Sequence, residues 1–138
     1  MSVPLEKRQA VEKLIKYMDL FSSPQARELC LWTEEKDEEG NTFRVPTYKD
    51  ELFDFIEEAY NSGILEPDYI NIMNSLSGGE NELDAIIYAL PSSDYLMCAA
   101  VLTCIVRQER FSPGLWGIAC KEKWFLAVLS RMEILLDE

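Results

Sequence analysis

At 138 residues, with 48% apolar and 28% charged side chains, the chain has the size and balance of one soluble globular domain over residues 1–138. It is long enough to hold a core without disulfide or metal. Its formal charge of −12 has the wrong sign for phosphate binding, so direct nucleic-acid contact is not expected.

The opening Met-Ser-Val-Pro-Leu-Glu-Lys-Arg lacks the basic-then-apolar layout of an export leader. The longest apolar run, Leu96 to Val106, is about half the length of a membrane span. A cytoplasmic protein with no membrane contact is therefore expected. Four cysteines, Cys30, Cys98, Cys104 and Cys120, form no C-x-x-C pair, and histidine is absent. The cysteines read as small core residues; no metal site and no cofactor are expected.

Pro4 to Phe21 reads as a helix, with Leu5, Val11, Leu14, Ile15, Met18 and Phe21 on one side and Lys7, Arg8, Lys13 and Lys16 on the other. Ser22-Ser23-Pro24 breaks it. Gln25 to Leu31 reads as a short helix capped by Ser23. Leu29–Thr33 and Thr42–Val45 suit a small β-hairpin turning through Glu39-Gly40-Asn41. The acidic run from Glu34 to Glu39 is not a calcium loop, because counting from Asp37 the glycine arrives two positions early.

Thr47 is placed to cap a helix from Tyr48 to about Asn61, closed by Ser62-Gly63. Asp68 to about Leu76 follows, and Ser77-Gly78-Gly79 reads as a hinge. Glu80 to Leu90 reads as another short amphipathic helix. Pro91-Ser92-Ser93-Asp94 stops it and caps the next helix, Asp94 to about Glu109, which is apolar all round and so central and buried. Ser112 suits the cap of a helix from Pro113 to about Glu122, with Phe111 and Trp116 as its hydrophobic staple. Lys123 to about Leu135 is the last helix. The expected fold is mainly α, six or seven helices around the 94–109 helix, with one small hairpin. Tyr48, Tyr60, Tyr69 and Tyr88 fall at helix-face spacings, with hydroxyls expected at the surface.

Charge is unevenly distributed: residues 28–84 carry sixteen acidic against three basic side chains. Such a surface allows a basic protein partner without requiring one, since acidity also simply keeps a protein soluble. The abrupt end of the apolar run in Arg107, Glu109 and Arg110 marks a second place of interest, since charges beside a buried segment must be paired or used. As a structural joint, the arginines complement the helix C-terminus, while Glu109 seeks a cation such as Arg131 and is mostly buried. As a ligand site, Arg107 and Arg110 clamp a carboxylate or phosphate. A general-base role for Glu109 has no histidine, metal cluster or serine elbow beside it.

The segment Leu102-Thr103-Cys-Ile-Val106-Arg107-Gln-Glu109-Arg110-Phe111-Ser-Pro-Gly114, followed by Leu129-Ser130-Arg131, resembles a family of small bacterial domains of unknown function. The family signature is L-T-x-x-V-R-x-E-R-F-x-x-G with a later leucine-x-arginine. The resemblance covers mainly residues 96–132. It departs at Pro113, where the family commonly has aspartate, and near Trp124, where the family has a glycine. It implies an intracellular, mostly helical bacterial domain and supplies no activity.

The functional expectation is a non-catalytic interaction module with an acidic surface, in which Trp32, Glu34, Glu35, Glu38 and Glu39 form the candidate interface. The alternative is small-anion binding at Arg107 and Arg110. A third reading, acidic mimicry of nucleic acid, is weakened by Lys36, Arg44 and Lys49 interrupting the acid run.

Overall fold

The computed structural model describes residues 2–138. Helix formation begins with a 3₁₀ turn, Leu5–Lys7, and continues as α1 (Arg8–Leu14), a second 3₁₀ turn (Ile15–Tyr17) and α2 (Met18–Ser22). The expected N-terminal helix is thus present but interrupted. A 3₁₀ turn, Ala26–Leu29, stands where a short helix was expected, and leads into β1 (Cys30–Lys36). β1 pairs antiparallel with β2 (Thr42–Tyr48) from Cys30↔Tyr48 to Lys36↔Thr42. Both strands run past the expected ends, so Thr47 is a strand residue and caps nothing. Helix α3 (Asp50–Asn61) starts after Lys49 with no side-chain cap.

The remaining helices are α4 (Tyr69–Leu76), α5 (Leu83–Tyr88), α6 (Tyr95–Gln108), α7 (Leu115–Lys121) and α8 (Trp124–Leu136). With α1 and α2 taken as halves of one interrupted helix, the described residues form seven helices and one small two-stranded hairpin, a mainly helical fold.

Ten of the fourteen residues of α6 are buried, which places it at the centre. Asp94 caps it, its Oδ1 accepting from the Met97 N–H at 3.0 Å. Helices α4, α7 and α8 pack around it. A second focus is aromatic: Phe21, Phe55 and Phe125 meet with ring centroids 4.8–5.1 Å apart and tie α2, α3 and α8 together.

Within α6 the fully buried Thr103 hydroxyl donates to the Ala99 carbonyl at 2.6 Å and accepts from the Glu66 N–H at 2.8 Å. One hydroxyl thereby satisfies a loop donor that would otherwise be stranded in the interior.

Several long cations close the fold through carbonyls. Lys7 Nζ donates to Gly63 O and Arg8 Nη2 to Leu136 O, each at 2.6 Å. Lys123 Nζ donates to Phe21 O at 2.8 Å, just before the end of α2. Helix ends carry unpaired carbonyls and partial negative charge, so cations stabilise them there.

Candidate functional site

Glu109 follows the last residue of α6, and its carboxylate is a three-way tie. The Tyr48 hydroxyl donates to Oε2 at 2.7 Å, and the Gly114 N–H donates to the same oxygen at 3.0 Å. The Trp116 N–H donates to Oε1 at 2.9 Å. One side chain therefore joins the end of α6, the start of α7 and the root of β2. An anion facing the free N–H groups of a helix start is favourable both for hydrogen bonding and for the helix dipole.

This arrangement corrects the expected local plan. Glu109 is half-buried rather than mostly buried, and these three partners are neutral donors rather than a cation from another segment. Arg131 cannot serve it: Arg131 Nε donates to Ser93 O at 2.8 Å, beside the N-terminal end of α6. A fourteen-residue helix is about 21 Å long, so Arg131 and Glu109 lie at opposite ends. Ser112 makes no cap either. Helix α7 begins at Leu115 after Gly114, and Glu109 supplies the acceptors.

The Phe111–Trp116 staple is likewise absent. Phe111 is 68% exposed and lies under the Arg110 guanidinium, 4.7 Å from ring centroid to Cζ. Trp116 instead joins an aromatic cluster with Tyr48 at 5.2 Å and Phe53 at 6.1 Å. Its indole N–H donates to Val106 O at 3.2 Å.

Tyr48 is the partner that sequence periodicity misplaced. It sits half-buried on a strand, not on a helix face, and its hydroxyl points inward to Glu109. Burial, then the hydrogen bond to Glu109 and its charge, push the Tyr48 hydroxyl far above its ordinary pKa. The neighbouring Cys30 thiol is also pushed up, by burial and then by Glu109, with the Tyr48 hydrogen bond opposing. Both groups stay protonated at neutral pH, so neither is an activated nucleophile. Tyr69 is also buried, its hydroxyl accepting from Gln108 Nε2. Tyr60 and Tyr88 are exposed.

Two glycines set how closely the hairpin approaches. Gly114 has φ +100°, and a β-carbon there would collide with the Trp32 ring. A β-carbon at Gly117 would lie 2.7 Å from Cys30 Sγ, inside contact distance. Gly114 thus links the two groups singled out in the sequence: Glu109 holds its N–H, and Trp32 covers its Cα.

Beyond that root the hairpin is open to solvent. Every residue from Leu31 to Arg44 is exposed, including Trp32 at 45%, Phe43 at 45%, Glu34, Glu35, Glu38 and Glu39. The turn is held by Asp37, whose Oδ1 accepts from the Glu39 and Asn41 N–H groups at 3.0 and 2.8 Å. Arg44 lies over the Trp32 ring at 5.4 Å.

A cleft of about 400 Å³ opens beside the root, floored by Cys30, Trp32, Gly114, Gly117 and Ile118 and rimmed by Arg27 and Lys121. A larger one, about 470 Å³, lies between the Ser77–Glu80 loop and the start of α6. Arg107 and Arg110 line neither cleft. Arg107 is half-buried and Arg110 exposed. Among the described residues, no group of three cysteine or carboxylate side chains is placed to hold a metal ion. No helix of the described residues is long and apolar enough to cross a membrane.

No curated protein and no solved structure matches the chain. A family of unknown function (DUF6508) matches residues 6–138, well beyond the C-terminal stretch that carried the resemblance in the sequence. The protein belongs to that family.

Proposed function

We propose that the protein is a binding module that presents the 30–48 hairpin to a basic protein partner. The observation that carries this reading is the hairpin itself. It stands on a root fixed by Glu109, Gly114 and Trp116, while all residues from Leu31 to Arg44 are exposed. A fold does not maintain such an arm for its own core, because two isolated strands add little stability in water. The arm carries exposed Leu31, Trp32 and Phe43 near five acidic side chains, Glu34, Glu35, Asp37, Glu38 and Glu39. Exposed aromatic and apolar residues supply contact area, and acidic neighbours select a basic partner and speed encounter.

The arginine-pair reading has less support. Arg110 rests on its own neighbour Phe111, and neither arginine faces one of the two clefts above. Nucleic-acid mimicry would use the same acidic residues, but Arg44 sits among them on the Trp32 ring.

The test is co-purification from source cells at moderate salt, with two variants alongside. One replaces residues 34–43 with a tight turn; the other reverses Glu34, Glu35, Glu38 and Glu39 to lysine. The expected result is a stoichiometric basic protein retained by the native chain and lost by both variants. Equal retention by all three would refute the reading.

A further inference from the structure

The two edges of the hairpin are not equivalent. In an antiparallel ladder, residues alternate between pairs that exchange both main-chain hydrogen bonds and pairs whose N–H and C=O groups point outward. The register sums each pair to one constant, and two bonds at the ladder's ends set the phase. The Lys49 N–H donates to Leu29 O at 2.9 Å, and the Asp37 N–H donates to Asn41 O at 3.0 Å. Pairs with an odd-numbered β1 residue are therefore the bonded ones. Outward-pointing groups then belong to Cys30, Trp32, Glu34 and Lys36 on β1, and to Thr42, Arg44, Pro46 and Tyr48 on β2.

Pro46 lies on the β2 edge, where it removes an N–H that another strand would need. Proline at an edge is a known protection against further pairing. The β1 edge has no such block. Among the described residues, no main-chain or side-chain hydrogen bond outside the ladder uses the backbone of residues 31–36. The cleft of about 400 Å³ is lined by β1 residues Cys30 and Trp32 and by no residue of β2, so it adjoins β1 at the root of the hairpin.

We propose that β1 is a strand-addition edge, and that its occupant is an extended, basic segment of another protein. This rests on the binding-module reading above and names what that module would bind. An added strand places its side chains beside those of β1, one to each face in turn. Next to Glu34 and Glu35, lysine or arginine is favoured. Toward Trp32 and the cleft, an apolar side chain meets Gly114, Gly117 and Ile118. Main-chain hydrogen bonds would supply affinity and the flanking positions specificity, the general logic of strand addition. A second copy of this chain is disfavoured as the occupant. Two β1 edges would bring Glu34 and Glu35 alongside their own equivalents, and each chain carries a charge of −12.

The probe is a labelled peptide matched to the seven residues of β1, with two adjacent lysines to meet Glu34 and Glu35 on the two faces and valine elsewhere. A second version is N-methylated on the amides of the edge that faces β1. Binding is read by anisotropy, and amide hydrogen exchange is followed on the full-length protein. The peptide is expected to bind and to protect the Trp32, Glu34 and Lys36 N–H groups while leaving Thr42 and Arg44 unprotected. N-methylation is expected to weaken binding about tenfold or more, the loss of one or more ladder bonds. The Glu34→Lys/Glu35→Lys variant is expected to weaken it similarly.

Equal binding of both peptides, together with loss on charge reversal, overturns strand addition and leaves the acidic-arm reading standing. Absence of binding by the unmethylated peptide overturns the edge proposal, and the co-purification result then decides the arm separately. Concentration-dependent protection of the same three amides without peptide would assign the edge to a second copy and overturn the basic partner.

Discussion

Glu109 binds three donors from two other elements, so its removal has a cost larger than a typical surface substitution. Glu109→Ala leaves the Tyr48 hydroxyl and the Gly114 and Trp116 N–H groups without their acceptor. Because the site is half-buried, water replaces part of what is lost, and the expected destabilisation is about 2–3 kcal/mol. Glu109→Gln keeps one acceptor oxygen and is expected to lose less. Urea titration of both variants checks the order; an alanine variant as stable as the native chain would remove Glu109 as the joint.

At the same scale, Cys98 and Cys120 are fully buried, and burial pushes each thiol from 9.0 up to about 12. Between those values the unfolded chain releases protons that the folded chain retains. Stability is therefore complete below about pH 9 and falls as pH rises toward 12, by up to about 1.4 kcal/mol per pH unit for each thiol. Denaturation measured across the alkaline range should show that slope, and the Cys98→Ala/Cys120→Ala variant should be less stable but flatter.

At the level of elements, the hairpin and α7 are joined through glycine. Gly114→Ala meets two separate penalties: a φ of +100° that a side chain tolerates poorly, and collision with the Trp32 ring. Together they are expected to cost about 2–4 kcal/mol. In a Trp32→Ala background the collision disappears and only the backbone strain of about 1–2 kcal/mol remains. A double-mutant cycle on folding stability isolates the difference. Simple additivity would mean that Trp32 does not rest on Gly114.

Local order was largely legible in the residues. The helical segments, the hairpin and the central place of α6 follow from periodicity, turn residues and a run of apolar side chains. What local reading missed were caps and partners. Thr47 has good capping chemistry but belongs to β2, because pairing with Leu31 extends the strand past it. Ser112 has it too, yet Glu109 reaches the same helix start from one turn away with two oxygens and a full charge. Tyr48 lies 61 positions from Glu109, and nothing in the spacing of either residue announces the other.

For the whole molecule, charge is the dominant global property. The excess of acid between residues 28 and 84 repels itself in the folded state, and salt screens such repulsion over a Debye length of about 10 Å at ordinary ionic strength. Raising salt from low to moderate concentration is expected to stabilise the fold by about 1 kcal/mol, a rise of a few degrees in Tm. Thermal melts over a sodium chloride series check this, and a falling Tm would mean that attractive pairs outweigh the repulsion.

The residues alone determined fold class, the buried helix, the acidic surface and the two regions of interest, because composition and periodicity are local quantities that chain order preserves. Only the tertiary structure decided that those two regions meet. Gly114 holds Glu109 on its N–H and Trp32 against its Cα, so the polar joint at the end of α6 is also the footing of the exposed hairpin. The physical reason is that hydrogen-bond partners and ring contacts depend on which elements pack together, and packing is set by the sum of many weak apolar contacts rather than by any single motif.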